Sequence, residues 1–334
     1  MKIVPKQTTL CFFSVSFLVF LCFINQKIVF CIKKLTMLSI LIPTYNWDVT
    51  NLTESILHQC EELNLVYEII IVDDKSNLSY RLKNKDLEKK TSVRYVELDE
   101  RVSRAKIRNT LAAMAQYPTL LFIDCDAEII HNDFVARYLQ TQNDIVFGGI
   151  AYSTQKPAKY QRLRWKYGKK REMSSAETRM KNPYLFFSAF NVLIPKELFS
   201  KIQFNEQFET YGYEDTYFGF QLQKHGLAIK HIDNELLHNG LCSNNEFIAK
   251  IEESIQGLIS LLHSPEIEQD FFETVKLYRM FRFCQSLHLV KCIAFLHKIF
   301  GKFLRYIVIQ TNSLRLLDLY KIGFFCHHFS CYDK

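Results

Sequence analysis

The chain has 334 residues, of which 48% are hydrophobic, enough for one large or two ordinary domains with a sizeable core. Its net charge of +7 is uneven: residues 1–36 hold five lysines and no acid, residues 271–334 hold ten Lys and Arg against three acids, and the body between them is acidic. The acidic body argues against nucleic-acid binding, whereas the basic ends suit an anionic membrane surface.

The first 36 residues combine an apolar run at residues 10–24 with a polar break and a second apolar stretch that ends at Ile32. The first run is short for a membrane span, but the whole stretch is long enough. No clear small-residue cleavage site follows it, which disfavours a secretory signal peptide. Met37 stands directly before the first convincing strand. We therefore expect a membrane anchor, a disordered tail or a segment upstream of the true start.

From Met37 onward, apolar runs alternate with helical patterns. The predicted strands are residues 38–46, 67–76, 93–98 and 119–126, and the predicted helices between them are residues 51–63, 82–90 and 101–116. Such alternation is typical of βαβ units, which form a parallel sheet covered by helices on both faces. The predicted fold class is therefore α/β, with a mostly parallel central sheet.

Three of the predicted strands end in polar residues. These residues are Pro43, Thr44 and Tyr45 in the first strand, Asp73 and Asp74 in the second, and Asp124 and Asp126 in the fourth. Ligands of open α/β sheets bind beyond the carboxyl ends of the strands, so we expect one shared pocket. Asp124 and Asp126 lie two residues apart, which in an extended segment places both carboxylates on one face. Mg²⁺ or Mn²⁺ would relieve their mutual repulsion.

Glycine-based phosphate sites are absent from the sequence. Neither G-x-G-x-x-G nor a Walker loop follows the first strand, and the chain has only 10 glycines. A metal held by Asp126, with help from Asp124, would neutralise phosphates instead.

Four motifs in order, ILIPTYN, IIIVDDKS, RNTLA and FIDCDAEI, make residues 37–240 resemble the family 2 glycosyltransferases, which have the GT-A fold. The resemblance implies a nucleotide-diphospho-sugar donor and a divalent metal. It implies that Arg108 braces the site and that Asp124 and Asp126 contact ribose and metal. The nucleotide-sugar-binding residues implied are Pro43, Thr44, Tyr45, Asp73, Asp74, Arg108 and Asp124.

Residues 208–226 predict a helix that carries Glu214 and Asp215 in its first turn and ends at Gly226. Acids at that position also stabilise a helix through its dipole, so capping is the alternative role. The YGYED segment resembles the G-x-E-D element of inverting GT-A enzymes, including the galactosyltransferase-like and chondroitin-polymerase branches. That resemblance implies Asp215 as the catalytic base and Glu214 as an acceptor contact, and the sequence leaves the two roles interchangeable.

The resemblance also implies a third metal ligand, a histidine downstream of that helix. His238, in the segment NELLHNG, is the candidate, with His225 and His231 as rivals. The implied metal ligands are therefore Asp124, Asp126 and His238.

Residues 182–199 predict a strand and a short helix at the floor of an acceptor site. Cations of the basic segment 152–180 are candidates for contact with a diphosphate.

The remaining residues, 241–334, look largely helical. In residues 290–309, Lys291, Lys298, Lys302 and Arg305 share one helical face among apolar residues. Such a helix suits a membrane surface; packing on the catalytic domain with a charged outer face is the alternative.

The 10 cysteines show no C-x-x-C and no zinc spacing, so we expect reduced thiols in a cytosolic protein.

We therefore predict an N-terminal segment (1–36), a GT-A catalytic domain (37–240) and a helical extension (241–334). The predicted activity is metal-dependent, inverting transfer of a hexose from a UDP-linked donor to a hydroxyl of a surface glycan or lipid-linked acceptor, with Mn²⁺ or Mg²⁺ as cofactor. We expect a peripheral location at the inner face of the membrane, or a single-pass anchor if residues 1–36 are translated. The alternatives are an inactive glycan-binding or scaffold protein and a sugar-phosphate nucleotidylyltransferase.

Overall fold

The computed structural model describes residues 37–141 and 145–332, so the predictions for residues 1–36 lie outside the described residues. The strands are β1 (Met37–Thr44), β2 (Val66–Asp73), β3 (Val93–Glu97), β4 (Thr119–Ile123), β5 (Ala127–Ile129), β6 (Ile145–Phe147), β7 (Ile150–Ala151), β8 (Asn191–Pro195), β9 (Ile229–His231) and β10 (Leu236–His238).

Helices fill the segments between these strands and the C-terminal part of the chain. They are α1 (Thr50–Glu62), α2 (Leu78–Lys85), α3 (Arg104–Met114), α4 (Phe134–Leu139), α5 (Arg162–Tyr167), α6 (Ala176–Met180), α7 (Lys196–Lys201), α8 (Glu214–Lys224), α9 (Asn244–Leu261), α10 (Gln269–Thr274), α11 (Lys276–Ser286), α12 (Val290–Thr311) and α13 (Leu314–Tyr332). A π-helical turn, Gly168–Glu172, extends α5.

The main sheet has seven strands in the order β3-β2-β1-β4-β8-β6-β9. The first four strands of that order run parallel, and β8 is antiparallel to both of its neighbours. The predicted α/β class with a mostly parallel sheet is therefore confirmed. The apolar runs of β1, β2 and β4 are buried on both faces because helices cover the sheet on each side.

A second, three-stranded sheet has the order β5-β10-β7. Its register places His238 of β10 opposite Ala127 of β5. Because Ala127 follows Asp126 directly, this small sheet joins the histidine to the carboxylate across more than a hundred residues of sequence. The sheet thus brings Asp126 and His238, two of the implied metal ligands, next to each other.

The sequence-based prediction differs from the structure at residues 124–126. An extended segment was expected there, but the chain forms a turn in which the Ala127 amide donates to the Asp124 carbonyl at 3.1 Å. The turn is needed because the chain reverses from β4 of the main sheet into β5 of the small one. Asp124 and Asp126 still line one cavity, but they do so from a turn rather than from one face of a strand.

The predicted helix at residues 82–90 begins earlier, at Leu78, and its second half is a 3-10 turn at Asp86–Lys89. Asn84 anchors α2 in this position. Its buried side chain accepts from the Val49 amide at 3.1 Å and donates to the Trp47 carbonyl at 2.8 Å. A buried polar contact of this kind outweighs local helix propensity.

The helical C-terminal region is confirmed, and it packs on the rest of the protein. Its hydrophobic cluster includes Leu163 of α5, Phe208 in the loop before α8, Tyr217 of α8 and residues of α9 to α13. Residues on both sides of position 240 therefore share one core, and the domain boundary at 240 stays a prediction. Within the described residues, no helix is both long and apolar enough to cross a membrane.

Candidate active site

A cavity of about 380 Å³ opens beyond the carboxyl end of β4 and beside the first turn of α8. Its lining brings together five of the predicted residues: Asp124, Asp126, Glu214, Asp215 and His238. Residues 185–188 and Phe190 also line it, where a floor for the acceptor was predicted. Carboxylates and an imidazole converging in one cavity are the features by which an active site is recognised.

Arg108 of α3 connects three of these carboxylates. Its side chain is 2% exposed, and its Nη2 lies 3.0 Å from Asp124 Oδ1. Its Nη1 lies 3.4 Å from Glu214 Oε1 and 3.5 Å from Asp215 Oδ1. A buried guanidinium requires such partners because an uncompensated charge is costly away from water. Arg108 therefore fixes the turn after β4 relative to the start of α8.

Arg104 stands one helical turn before Arg108 and faces the open part of the cavity. Its Nη1 lies 3.8 Å from Glu214 Oε1, and its guanidinium stacks over Tyr211 at 4.6 Å. About half of its side chain remains exposed. Arg104 was not among the residues predicted from sequence. Its i, i+4 spacing to Arg108 could have indicated it, because residues at that spacing share a helix face.

Asp124 and Asp126 have different electrostatic surroundings. Burial acts to raise the pKa of Asp124, but Arg108 and Arg104 outweigh it and hold that pKa below its usual range. Burial and the neighbouring Asp124 charge raise the pKa of Asp126 to about 6. The Asp126 carboxylate therefore lacks sufficient compensating positive charge, which is the condition that a bound cation would relieve.

His238 is held rigidly next to Asp126. Its ring stacks between Phe190 at 5.3 Å and Tyr152 at 5.2 Å, and its Nε2 lies 3.7 Å from Asp126 Oδ2. Burial and the nearby Arg164 charge lower its pKa to about 4. The imidazole is therefore neutral at physiological pH, which is the form that binds metals.

Asp126 and His238 fit a divalent cation. They supply an oxygen and a nitrogen donor, and Gly240 leaves room for them, since a Cβ there would lie 1.9 Å from Asp126 Oδ2. Asp124 is turned toward Arg108 instead. Among the described residues, no set of three His, Cys, Asp or Glu side chains is placed to hold one ion. Two protein ligands suit Mg²⁺ or Mn²⁺ bound together with a substrate phosphate.

Glu214 and Asp215 begin α8 after a left-handed turn. Gly212 has φ +100° and Tyr213 has φ +69°, so the chain enters the helix abruptly. Neither acid caps its own helix, because Glu214 contacts the arginines and Asp215 Oδ2 accepts from Ser188 Oγ at 3.0 Å and Ala189 N at 3.1 Å. Neither acid therefore forms a capping hydrogen bond, although both lie in the first turn of α8, where the helix dipole favours them.

The two carboxylate oxygens of Asp215 differ in their contacts. Oδ1 is buried, has no hydrogen-bond partner among the described residues and lies 3.5 Å from Arg108 Nη1. Burial raises the pKa of Asp215 to about 6, and the Glu214 and Asp124 charges add to it while Arg108 opposes it. A carboxylate with a free oxygen and a pKa near neutrality has the properties of a general base.

The candidates for nucleoside binding lie at the ends of β1 and β2. Asp73 is fully buried, and its carboxylate accepts from Ser76 N at 2.6 Å and Tyr95 Oη at 2.9 Å. Asp74 accepts from Val102 N at 2.8 Å and from Arg101 Nε at 3.3 Å. The Arg101 guanidinium stacks over the Tyr45 ring at 3.7 Å.

These contacts show that the two aspartates have different structural roles. Asp73 stabilises the turn after β2, whereas Asp74 is linked through Arg101 to the exposed ring of Tyr45. Pro43 and Thr44 close β1 beside them, where Thr44 pairs in register with Asp73. Arg101 was missed from sequence because its contact with Tyr45 joins two loops.

Three residues around His238 were not singled out from sequence. Arg164 Nη1 lies 3.0 Å from Glu172, which also accepts a short hydrogen bond from Tyr152 Oη. Arg164 Nη2 lies 3.2 Å from His238 Nε2. Arg164 and Glu172 belong to the basic segment that was considered for diphosphate contact, but its composition could not show which cation faces the cavity. The rival histidine His231 lies elsewhere, against Arg179 Nε and the Pro183 carbonyl.

Comparison with known proteins gives a consistent result. The model of the family described as Glycosyl transferase family 2 matches residues 39–203. A hyaluronan synthase of Pasteurella multocida is 24% identical over 237 residues, and a chondroitin synthase of P. multocida strain Pm70 is 22% identical over 237 residues. Each alignment covers 60% of this chain, and the chain spans only 24% of the length of each synthase.

Solved structures show the same fold. A mannosyltransferase from Pyrobaculum calidifontis, solved in complex with GDP-Man and Mn²⁺, superposes with a TM-score of 0.50 at 15% sequence identity. The match covers 89% of this chain and 87% of that one. This likeness identifies the fold, and the assignment of individual residues still depends on the geometry described above.

Proposed function

We propose that this chain, which is a family 2 glycosyltransferase with a GT-A fold, catalyses metal-dependent, inverting transfer of a hexose from a UDP-linked donor. The acceptor proposed is a hydroxyl of a surface glycan or of a lipid-linked glycan. The observation that carries the proposal is the cavity in which Arg108 joins Asp124 to Glu214 and Asp215, with Asp126 and His238 alongside.

The donor's nucleoside is proposed to bind at the ends of β1 and β2. Tyr45 offers an exposed ring for stacking, and Asp74 offers a carboxylate that accepts hydrogen bonds. Arg101 now covers the Tyr45 ring, so a base that stacks there would displace or sandwich this guanidinium. Pro43, Thr44 and Asp73 shape the wall behind them.

The donor's diphosphate is proposed to lie between the metal-ligand candidates and the cavity cations. Arg104, Arg164 and Lys250 all line the cavity and supply positive charge. A divalent cation bound by Asp126 and His238 would add to this charge and stabilise the departing UDP. Arg164, which now lies beside His238 Nε2, would have to move to admit that ion.

Asp215 is proposed as the general base. The acceptor oxygen bonds to C1 of the hexose while the bond from C1 to the UDP oxygen breaks, and the acceptor's proton passes to Asp215 Oδ1. Direct displacement by one nucleophile inverts the configuration at C1. Ser188 and Ala189 orient Asp215 through its other oxygen, Oδ2, so that Oδ1 has no hydrogen-bond partner among the described residues. Oδ1 is buried beside Arg108, and the acceptor would have to reach it there. Glu214, held by two arginines, is proposed as an acceptor contact.

The test is UDP release from UDP-glucose, UDP-galactose and UDP-N-acetylgalactosamine in Mn²⁺, with a panel of glycan acceptors or with water. Asp215→Asn should lower turnover by at least about 100-fold because it removes general-base catalysis. Binding of UDP and Mn²⁺ should persist. Glu214→Gln is the matched variant and should raise the KM for acceptor more than it lowers kcat. Full turnover by Asp215→Asn would show that Asp215 is not the general base.

The proposed location is peripheral, at the inner face of the membrane, where a lipid-linked acceptor would be accessible. The basic C-terminal region supports this location, since residues 271–334 hold ten Lys and Arg against three acids. The described cysteines are all free thiols, in keeping with a reducing compartment.

A further inference from the structure

Helix α12 packs on the protein through a narrow stripe of its surface. Ala294, Gly301 and Val308 recur every seven residues and are its buried side chains. Small residues in this stripe allow α13 to approach closely, and His297 fills the space beside Gly301 and Gly323. Ile293, Leu304 and Ile309 are partly buried against the same core, and the opposite side of this long helix is exposed.

The outward side of α12 is apolar. Six large side chains on it are between 48% and 63% exposed: Phe295, Leu296, Ile299, Phe300, Phe303 and Tyr306. Their spacing of three, four or seven residues places them on one helical face, which we call the apolar face. Leu287 and Leu289, in the turn before α12, are also exposed. A contiguous exposed apolar patch of this kind marks an interaction surface.

Cations lie along one edge of the apolar face. Lys291, Lys298 and Lys302 are exposed and form no ion pair among the described residues, whereas Arg305 is paired with Glu252 of α9 at 3.0 Å. The alternative considered from sequence, a packed helix with a charged outer face, does not describe α12, because three lysines border an outer face that is itself apolar. Apolar side chains flanked by unpaired lysines are typical of a helix that lies in a lipid–water interface.

We propose that the apolar face of α12 docks into the surface of an anionic lipid bilayer, with Lys291, Lys298 and Lys302 contacting lipid headgroups. This inference rests on the peripheral location in the proposed function and names the surface that produces it.

Charge decides between the possible occupants of the apolar face. Residues 1–36 are apolar in part but carry five lysines and no acid, so they would place like charges against the three lysines of α12. A second copy of the chain would do the same with its own lysines. An anionic bilayer offers acyl chains to the apolar side chains and anionic headgroups to the lysines. Each lysine near such a surface strengthens binding by about fivefold.

The test is flotation of the full chain with vesicles of phosphatidylcholine alone or mixed with phosphatidylglycerol. We expect binding to the mixed vesicles, at least 10-fold weaker binding to the neutral ones, and weakening with salt. Replacing Lys291, Lys298 and Lys302 together by Gln should weaken binding to mixed vesicles by about 100-fold. Phe300→Glu combined with Phe303→Glu should abolish it.

Leu82→Glu is the matched control, because Leu82 is 60% exposed on α2, outside the apolar face, and its replacement should leave binding unchanged. Unchanged vesicle binding by the Phe300→Glu, Phe303→Glu protein would overturn the proposal, as would no binding by the unsubstituted chain. A concentration-dependent dimer lost in the same variant, without vesicle binding, would assign the face to a protein partner. Mn²⁺-dependent UDP binding, measured on each variant, separates these outcomes from failure of the transferase assignment.

Discussion

At the level of single residues, Arg108 holds three carboxylates of the site in place. Three carboxylates from two distant segments lie within 3.5 Å of its guanidinium, and the side chain is almost fully buried. Arg108 holds Asp124 through its Oδ1 atom, and Asp126 and His238 lie 3.7 Å apart. Metal ligation by Asp124 stays a prediction. Asp215 keeps one oxygen without a hydrogen bond. The different roles of these similar side chains follow from their contacts.

The pH dependence of turnover should report Asp215. Burial raises the pKa of this group to about 6. A base must be deprotonated to act, so kcat should rise about tenfold per pH unit below pH 6 and level off above it. The measurement is kcat against pH at saturating donor, acceptor and Mn²⁺, so that bound metal keeps Asp126 deprotonated. A flat profile between pH 5 and pH 8 would contradict the assignment.

Gly240 should be required for metal binding rather than for stability. A Cβ at this position would displace the Asp126 carboxylate, so Gly240→Ala should weaken Mn²⁺-dependent UDP binding at least about tenfold. Gly226→Ala serves as the control, since its Cβ meets no atom within 4 Å although φ is +65°. That variant should lose about 1 kcal/mol of stability and keep its metal affinity. Calorimetric titration and thermal unfolding of both proteins check the prediction, and equal Mn²⁺ affinities would contradict it.

The residues that sequence could predict are those carried by short motifs at the ends of strands or at the start of a helix. Asp124, Asp126, Glu214, Asp215 and His238 were all named from their segments, and the structure places them around one cavity. Arg101, Arg104 and Arg164 were not named, because a cation on a helix or loop has no local signal for its direction. Their contacts arise only when separate elements pack together.

At the scale of secondary-structure elements, the C-terminal helices brace the segment that reaches His238. Lys166 Nζ donates to the Asn312 carbonyl at 3.2 Å, and Arg171 Nη2 donates to Asp318 Oδ2 at 2.6 Å. Both cations lie on α5 or its π-helical extension, which also carry Arg164 and Glu172. The α12–α13 turn and α13 therefore contact the helix that carries the cavity cation Arg164.

The buried side chain of Asn244 forms hydrogen bonds with several of the segments that meet here. Its Oδ1 accepts from Leu163 N at 3.0 Å, and its Nδ2 lies within hydrogen-bonding distance of the Lys159 and Ile309 carbonyls and of Asn312 Oδ1. The Asn312 backbone is left-handed at φ +53°, where it reverses the chain between α12 and α13. One side chain thus links α5, α9 and the α12–α13 turn.

Asn244→Ala should lower the free energy of unfolding by about 2 kcal/mol or more, because it leaves several buried polar groups without partners. Asn245→Ala is the matched control: Asn245 is exposed, and its side chain only accepts from Arg305 Nη1 at 3.2 Å. That change should stay within about 0.5 kcal/mol of the unsubstituted protein. Urea unfolding of both variants makes the comparison, and equal midpoints would contradict the bracing role.

The elements themselves were largely predictable, because long apolar runs and their spacing reflect burial. Strands β1 to β4 and helices α1, α3 and α8 follow the predicted segments within a few residues. The three-stranded sheet was not predicted, since β5, β7 and β10 are only two or three residues long and pair across distant parts of the chain. Strands this short have no alternation to detect.

At the scale of the whole molecule, an acidic body carries the chemistry and the basic C-terminal region presents a surface. The cavity gathers carboxylates around buried arginines, whereas α12 exposes six large apolar side chains beside three lysines. The distribution of charge along the sequence predicted this separation, and the spacing of Lys291, Lys298, Lys302 and Arg305 predicted a basic amphipathic helix at residues 290–309. That spacing could not show which face of the helix would be buried, because apolar residues surround most of its circumference.

Metal-dependent nucleotide binding can be measured by calorimetric titration of the full chain with UDP, GDP and CMP, each with and without Mn²⁺, repeated on Asp126→Ala. We expect binding of UDP alone, dependent on Mn²⁺ and lost in the variant, since Asp126 and His238 are the ligands that fit the ion. Binding of none of the three nucleotides, or UDP binding of equal strength without Mn²⁺, would contradict it.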